Sequence, residues 1–100
     1  MRISQWNACY NSGEAVIALT CVVTSSGADI SAVGLMLNTA AGATLASSYV
    51  ELSTNSESVT PSLNLPSGNL DVGATVHGVV SGEANGQHFF FDEKLTIENC

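Results

Sequence analysis

The sequence predicts an all-β fold: a single domain over residues 1–100, built as an antiparallel β-sandwich of about seven strands. Two features of the composition favour strands and turns over helices. The chain has 13 serines, 8 threonines, 8 asparagines and 9 glycines, but only 2 lysines and arginines together. In addition, clusters of turn-forming residues separate stretches of strand length at short, regular intervals. This combination is typical of a small sandwich.

The predicted strands cover, in order, 2–10, 15–24, 30–39, 43–52, 57–65, 73–83 and 87–98. In the second strand Cys21 is in step with the apolar set, so its thiol is expected in the core. The third strand carries apolar residues on both faces, with Leu35 on one and Met36 on the other, which predicts cover on both sides of its sheet. Pro61 within the fifth strand predicts an edge position, because proline has no N–H to donate.

The last two strands form the best-defined element, because Asn85-Gly86 is the preferred pair for a two-residue type I′ turn. This turn places Ala84 opposite Gln87 and fixes every later pair. One face of the hairpin is then apolar and the other is polar. The apolar face is predicted to hold Val76, Gly78, Val80, Gly82, Phe89, Phe91, Glu93, Leu95 and Ile97.

The register predicts the surroundings of three particular residues in this hairpin. Phe91 is expected in the core together with Phe89. Glu93 is the one charged residue on the core side, so we expect its carboxylate at the rim of the sheet, where it can reach water. Phe90 points to the polar face, where a neighbouring subunit could cover it, although a lone exposed apolar residue is equally common.

The three cysteines are too few for a disulfide scaffold, and their spacing excludes a zinc or redox Cys-x-x-Cys site. Cys9 ends the first strand and Cys100 ends the last. If these strands run side by side and parallel, a Cys9–Cys100 disulfide can close nearly the whole chain. The alternative is two free thiols in a reducing cytosol, which the opening Met1-Arg2-Ile3-Ser4 favours because it does not resemble a signal peptide.

Charge excludes several partners. Arg2 and Lys94 are the only cations in a chain of net charge −7, so neither nucleic acid nor an anionic membrane surface is an expected partner. No apolar stretch approaches the roughly 20 residues of a membrane span.

Enzyme chemistry is not expected, and neither is a cofactor or a metal. The predicted register places His88 opposite Glu83 and His77 opposite Lys94, on one face but too far apart to share an ion. Both histidines are therefore interpreted as surface pairing partners. No serine has the setting of a nucleophile, and no glycine-rich loop is followed by a lysine that could hold phosphate.

Trp6 stands near the N-terminus with Ile3 and Tyr10, and it can serve either as a lid on the core or as an anchor for a partner. The candidate partner contacts are therefore Phe90 and Trp6.

Two segments resemble known families. The stretch 13–23, with Cys21 facing inward, is similar to the second strand of immunoglobulin-type domains, and 63–70 is similar to a corner of fibronectin type III-like modules. The characteristic tryptophan and second core cysteine have no counterpart here. Sandwiches of this kind occur in phage decoration and tail proteins and in bacterial surface modules, so the resemblance implies binding or assembly.

The expected function is therefore structural: a viral (phage) capsid decoration or cementing protein, located in the virion and acting through contacts with capsid subunits or with copies of itself. The alternative is an extracellular or cell-surface binding module, such as an adhesin domain, whose loops recognise protein or glycan. The redox state of Cys9 and Cys100 discriminates between them, because a bond between them implies an oxidising compartment.

Overall fold

The computed structural model describes residues 1–25, 27 and 29–100, and for 50–55 it describes the backbone. Within these residues it contains nine strands and no helix. The strands are β1 (Arg2–Asn11), β2 (Val16–Thr24), β3 (Ile30–Thr39), β4 (Thr44–Ser56), β5 (Ser58–Val59), β6 (Ser62–Pro66), β7 (Thr75–Ala84), β8 (Gln87–Thr96) and β9 (Glu98–Asn99).

The strands form two sheets packed face to face, which confirms the all-β sandwich. The first sheet has the order β5-β2-β1-β9, with β6 also paired to β2, and the second has the order β4-β3-β7-β8. Among the described residues the pairings are antiparallel, except that of β1 with β9, which is parallel and spans two residue pairs. This is the arrangement predicted above as the condition for a Cys9–Cys100 disulfide. The first and last strands of the chain therefore lie side by side.

Nine strands replace the expected seven because two predicted strands are divided. The predicted fifth strand becomes β5 and β6, separated at Thr60 and Pro61, and both parts pair only with β2 at the edge of the first sheet. The predicted last strand becomes β8 and β9, because the chain leaves the second sheet at Ile97 and joins the first. β4 also runs four residues further than expected, to Ser56.

The core lies between the sheets and is built from alternate residues of the central strands. Burial alternates along β2, and Cys21 has no exposed surface, as predicted. Burial raises the pKa of the Cys21 thiol from 9.0 to about 11, because the thiolate would lose its hydration. The largest fully buried side chains are Ile17, Leu19, Ile30, Leu35, Leu37, Ile97, Val23, Val76 and Val80.

The hairpin of β7 and β8 has the predicted register, from Ala84 opposite Gln87 to Thr75 opposite Thr96. Asn85 and Gly86 have φ angles of 53° and 76°, the positive values that a type I′ turn requires at both central positions. Glu93 is exposed at the rim, as expected.

The expectation that Phe91 lies in the core is wrong. Phe91 is on the inner side of the second sheet, opposite Val80, but it is 38% exposed. The reason is the position of its strand. β8 is the edge strand of the second sheet, and among the described residues only the two-residue β9 lies beyond β1 on the first sheet. Phe91 contacts Phe89, whose ring centroid is 6.3 Å away, and overhangs the core.

A bulge in β1 was not predicted. The pairing with β2 shifts between Ser4 and Asn7, and Gln5 has a positive φ of 53°. Ile3 and Trp6 are three positions apart, a spacing that places residues on opposite faces of a regular strand. The extra residue of the bulge allows both to pack against the core. Gly78 provides the space for the indole, since a Cβ there would lie 2.6 Å from Cζ3 of Trp6.

Candidate interaction face

The outward side of the second sheet carries a row of four residues in register, one from each strand. Tyr49 of β4 lies opposite Gly34 of β3, which lies opposite Ser81 of β7, which in turn lies opposite Phe90 of β8. The aromatic face, as we name it, comprises this row and its uncharged outward neighbours: Ala32, Gly34, Met36, Ser47, Tyr49, Val79, Ser81 and Phe90.

Tyr49 lies across β3 because Gly34 has no side chain. A Cβ at Gly34 would lie 2.9 Å from Cδ2 of Tyr49, 3.2 Å from the carbonyl oxygen of Ser48 and 3.5 Å from Oγ of Ser81. A glycine within a strand often marks such a close approach. The ring remains 57% exposed, so it presents much of its surface to solvent.

The two central strands contribute mostly small residues to the aromatic face, with Met36 as the larger exception. Ala32 and Val79 point outward, yet each is only 3% exposed. Phe90 rises from the edge strand and is 67% exposed, the most exposed of the large hydrophobic residues described. The face is thus a shallow apolar surface with one ring on each edge strand, suited to contact with another flat surface.

Charged pairs lie on both sides of this row. On one side Nε2 of His88 lies 3.3 Å from Oε1 of Glu83, the cross-strand pair predicted by the register. On the other side Nδ1 of His77 lies 2.7 Å from Oδ1 of Asp92. His77 is opposite Lys94 as expected, but its contact is with the diagonal neighbour Asp92, because a carboxylate attracts the imidazole and an ammonium does not.

The two candidate partner contacts are not brought together. Phe90 stands on the outward side of the second sheet, whereas Trp6 packs on the inner side of the first sheet against the core. The structure therefore gives Trp6 the position of a lid. Tyr49, which was not predicted as a contact residue, shares the face with Phe90. The one sequence signal for this was Gly34 in the middle of an apolar strand, because a glycine there leaves room for a side chain from a neighbouring strand.

Cys9 and Cys100 form a disulfide that joins β1 to the last residue of the chain, with their Cα atoms 4.9 Å apart. The parallel pairing of β1 with β9 brings them together, and the backbone N–H of Cys100 also donates to the carbonyl oxygen of Tyr10. Cys21 is a free, buried thiol.

A groove of about 460 Å³ opens at one end of the sandwich, away from the aromatic face. Its walls are mostly apolar and come from the start of β4, the end of β6 and the loop that follows. The residues lining it are Thr39, Leu45, Leu65, Pro66, Ser67, Gly68, Asn69 and Leu70. Leucine and proline side chains supply its apolar walls, and Thr39, Ser67 and Asn69 are its polar lining residues.

Each histidine contacts one carboxylate, and the two pairs flank the Phe90 row without meeting. Within 1–25, 27 and 29–100 no three histidine, cysteine, aspartate or glutamate side chains converge as metal ligands. The same part of the chain contains no helix that is long and apolar enough to cross a membrane.

Comparisons of the chain with protein-family models, with curated proteins and with solved structures found no match.

Proposed function

We propose that this protein is a non-enzymatic structural protein that acts by assembly with other protein subunits, on a virus particle as a capsid decoration or cementing protein. The aromatic face supports this proposal. Phe90 and Tyr49 expose 67% and 57% of their surfaces on an otherwise flat, uncharged part of the sheet. Burial of such rings against a partner removes apolar surface from water at about 25 cal/mol per Å².

The layout of this face matches that of a protein–protein contact. Its centre is apolar and aromatic, and among the side chains described two charged pairs stand beside it, Glu83 with His88 and Asp92 with His77. Interfaces have this arrangement, with dry aromatic residues contributing most of the binding energy and polar groups at the rim. Phe90 and Tyr49 are the proposed anchors.

The net charge restricts the partner. With a net charge of −7, the protein would repel nucleic acid and anionic lipid, so the proposed partner is a protein surface that is neutral or basic at its rim. A capsid subunit that offers a flat apolar patch meets this requirement.

The proposal is tested in two steps. The genes beside that of this chain are identified first, and capsid or tail genes are expected among them. The capsid protein so identified is assembled into shells and sedimented with the wild-type protein, with Phe90→Ser and with Asn64→Ser. Asn64 is the matched control, because it is exposed on the outward side of the first sheet. Phe90→Ser is expected to lower the bound fraction about tenfold or more, and Asn64→Ser is expected to leave it unchanged.

Equal binding by both variants, with both folded, would contradict docking through the aromatic face. The absence of any binding by the wild-type protein to the shells would contradict the capsid assignment itself.

A second candidate is an extracellular or cell-surface binding module, and the Cys9–Cys100 disulfide favours it because such bonds persist in oxidising compartments. The test is to alkylate the protein from its natural source before reduction and to weigh the peptides that contain Cys9 and Cys100. A linked pair supports the extracellular module, whereas two alkylated thiols support assembly in a reducing cytosol.

A further inference from the structure

β8 is a free strand edge with unusual regularity. All ten of its residues pair with β7 without a register shift, and β8 ends the strand order of the second sheet. β4, at the opposite edge of the sheet, has a register shift near each end of its pairing with β3. Alternate residues of an edge strand direct N–H and C=O groups away from the sheet, so β8 presents a straight row of unpaired backbone groups.

Two neighbouring phenylalanines of β8 are exposed on opposite sides of this edge. Phe90 is 67% exposed on the outward face, and Phe91 is 38% exposed on the inner side. A partner that docks on one face of the sheet can cover only one of these rings. A strand added to the edge covers both, because its own side chains extend above and below the sheet.

The sequence of β8 is complementary to itself when two copies pair antiparallel with Phe90 on the two-fold axis. Phe89 then lies opposite Phe91 of the partner subunit, and the two Phe90 side chains are neighbours. Asp92 lies opposite His88 of the partner subunit. Glu93 lies opposite Gln87 of the partner subunit, within reach of a hydrogen bond.

Neighbouring registers lack this match. Centring on Phe91 would place Phe90 opposite a carboxylate, Asp92, and Phe89 opposite another, Glu93. Centring on Asp92 would place two like charges directly against each other, which destabilises a sheet. The register centred on Phe90 is the one that pairs aromatic residues with aromatic residues and gives each carboxylate a donor.

We propose that β8 is a self-association edge, at which two copies of this chain pair antiparallel about Phe90 and join their second sheets into one of eight strands. This inference deepens the proposed function and rests on it only in taking Phe90 as a contact residue. It names the first partner as a second copy. The pairing also sets two Phe90 rings side by side on the outward face, so the aromatic face of the dimer becomes a continuous band with Tyr49 towards each end.

The test is the mass of the full-length protein in solution, measured by sedimentation equilibrium over a range of concentrations. The wild-type protein is expected to form dimers. Phe90→Lys is expected to be monomeric, because it puts two ammonium groups at the two-fold axis. Tyr49→Ser is the control, since Tyr49 lies three strands away on the aromatic face, and it is expected to dimerise like the wild-type protein.

The register has a test of its own. His88→Glu would face Asp92 of the partner subunit and is expected to weaken the dimer about tenfold, with two such contacts per dimer. Adding Asp92→Lys to His88→Glu is expected to restore the dimer. Positions 88 and 92 are four residues apart on one strand, roughly 13 Å, so this rescue cannot arise within one copy. Thermal unfolding of each variant shows that the effects are not losses of fold.

A wild-type protein that stays monomeric would overturn the inference while leaving docking on capsid shells open. Dimers that survive Phe90→Lys but dissociate with Tyr49→Ser would show that copies meet face to face, which also overturns it. Failure of Asp92→Lys to rescue His88→Glu would overturn the register. Loss of shell binding in Tyr49→Ser with the dimer intact would support both proposals and separate their surfaces.

Discussion

The outward sides of the two sheets differ in kind. On the first sheet, the outward residues of β2 are Val16, Ala18, Thr20, Val22 and Thr24, and those of the flanking strands are mainly serine and asparagine. Among the residues described, none of the exposed large hydrophobic side chains belongs to a strand of this sheet, and the disulfide closes one end. On the second sheet, two aromatic rings stand free, and both histidines pair with carboxylates around them.

This difference separates stability from binding. The first sheet holds both ends of the chain, with β1 bonded to β9 and to Cys100, so changes there should be measured in the free energy of unfolding. The aromatic face exposes apolar surface that contributes little to an isolated copy, so changes there should be measured in association. The following predictions test this separation, from the largest expected effect on stability to the smallest.

The largest loss is expected for the double variant Cys9→Ser/Cys100→Ser. The bond closes a loop with a sequence separation of 91 residues, and β9 contributes only two backbone pairs to hold the end without it. The chain-entropy model gives a loss of about 4.6 kcal/mol for such a loop. Urea unfolding of the variant measures it, with unfolding of the reduced wild-type protein as the control.

A loss below about 1 kcal/mol would mean that backbone pairing alone fixes the chain end, contrary to the role assigned to the first sheet. Where the variant remains folded, its dimer mass should equal that of the wild-type protein, because β8 is untouched.

The second effect depends on pH and concerns Cys21. Its pKa is raised from 9.0 to about 11 in the folded protein, so folding favours the neutral thiol. The stabilisation is complete below pH 9 and is lost as the pH rises to about 11, when the thiol ionises in both states. The loss amounts to about 2–3 kcal/mol, and it should be absent from Cys21→Ala.

The comparison is made as the difference in unfolding free energy between the wild-type protein and Cys21→Ala at several pH values from neutral to about 11. That difference also contains a cavity contribution, which does not vary with pH. A difference that stays constant across this range would contradict burial of the thiol between the sheets.

The sequence predicted most of the fold where local chemistry decides it. Asn85 and Gly86 determine the last hairpin without help from the rest of the chain, and the register that follows from them is observed. The alternation in β2 and the edge position predicted from Pro61 depend on equally local rules, namely side-chain period and a missing N–H.

The features that the sequence did not predict depend on what lies across the sandwich. Phe91 alternates onto the inner side of its sheet, as a core residue does. However, β8 extends past the strands of the first sheet that would cover it, and no local pattern gives the width of that sheet. The bulge at Gln5 left a trace in the sequence, since Ile3 and Trp6 are both apolar yet of opposite parity. Tyr49 belongs to the aromatic face because β4 pairs with β3 in the register that puts Tyr49 opposite Gly34, and no local sequence pattern gives that register.

The third prediction is a moderate loss of stability for Phe91→Ala. Truncation of a fully buried phenylalanine costs about 3–5 kcal/mol, but Phe91 is 38% exposed on an edge strand, so a loss of about 1–2 kcal/mol is expected. Thermal and urea unfolding measure it in parallel. A loss as large as that for a buried ring would mean that the dimer, rather than the single copy, was being unfolded, and the loss would then depend on protein concentration.

The smallest effects on stability are expected on the aromatic face, where Tyr49→Ser and Phe90→Ser should each change the free energy of unfolding of the single copy by about 0.5 kcal/mol or less. The two rings are not equivalent, because Tyr49 covers the backbone at Gly34 and Phe90 stands on the free edge. In dilute protein, Tyr49→Ser should therefore lower the free energy of unfolding more than Phe90→Ser does. At high concentration, Phe90→Ser should reduce the fraction of dimer more than Tyr49→Ser does. Urea unfolding at low concentration and sedimentation at high concentration give the two rankings, and identical rankings would show that the face serves the fold and the partner through the same contacts.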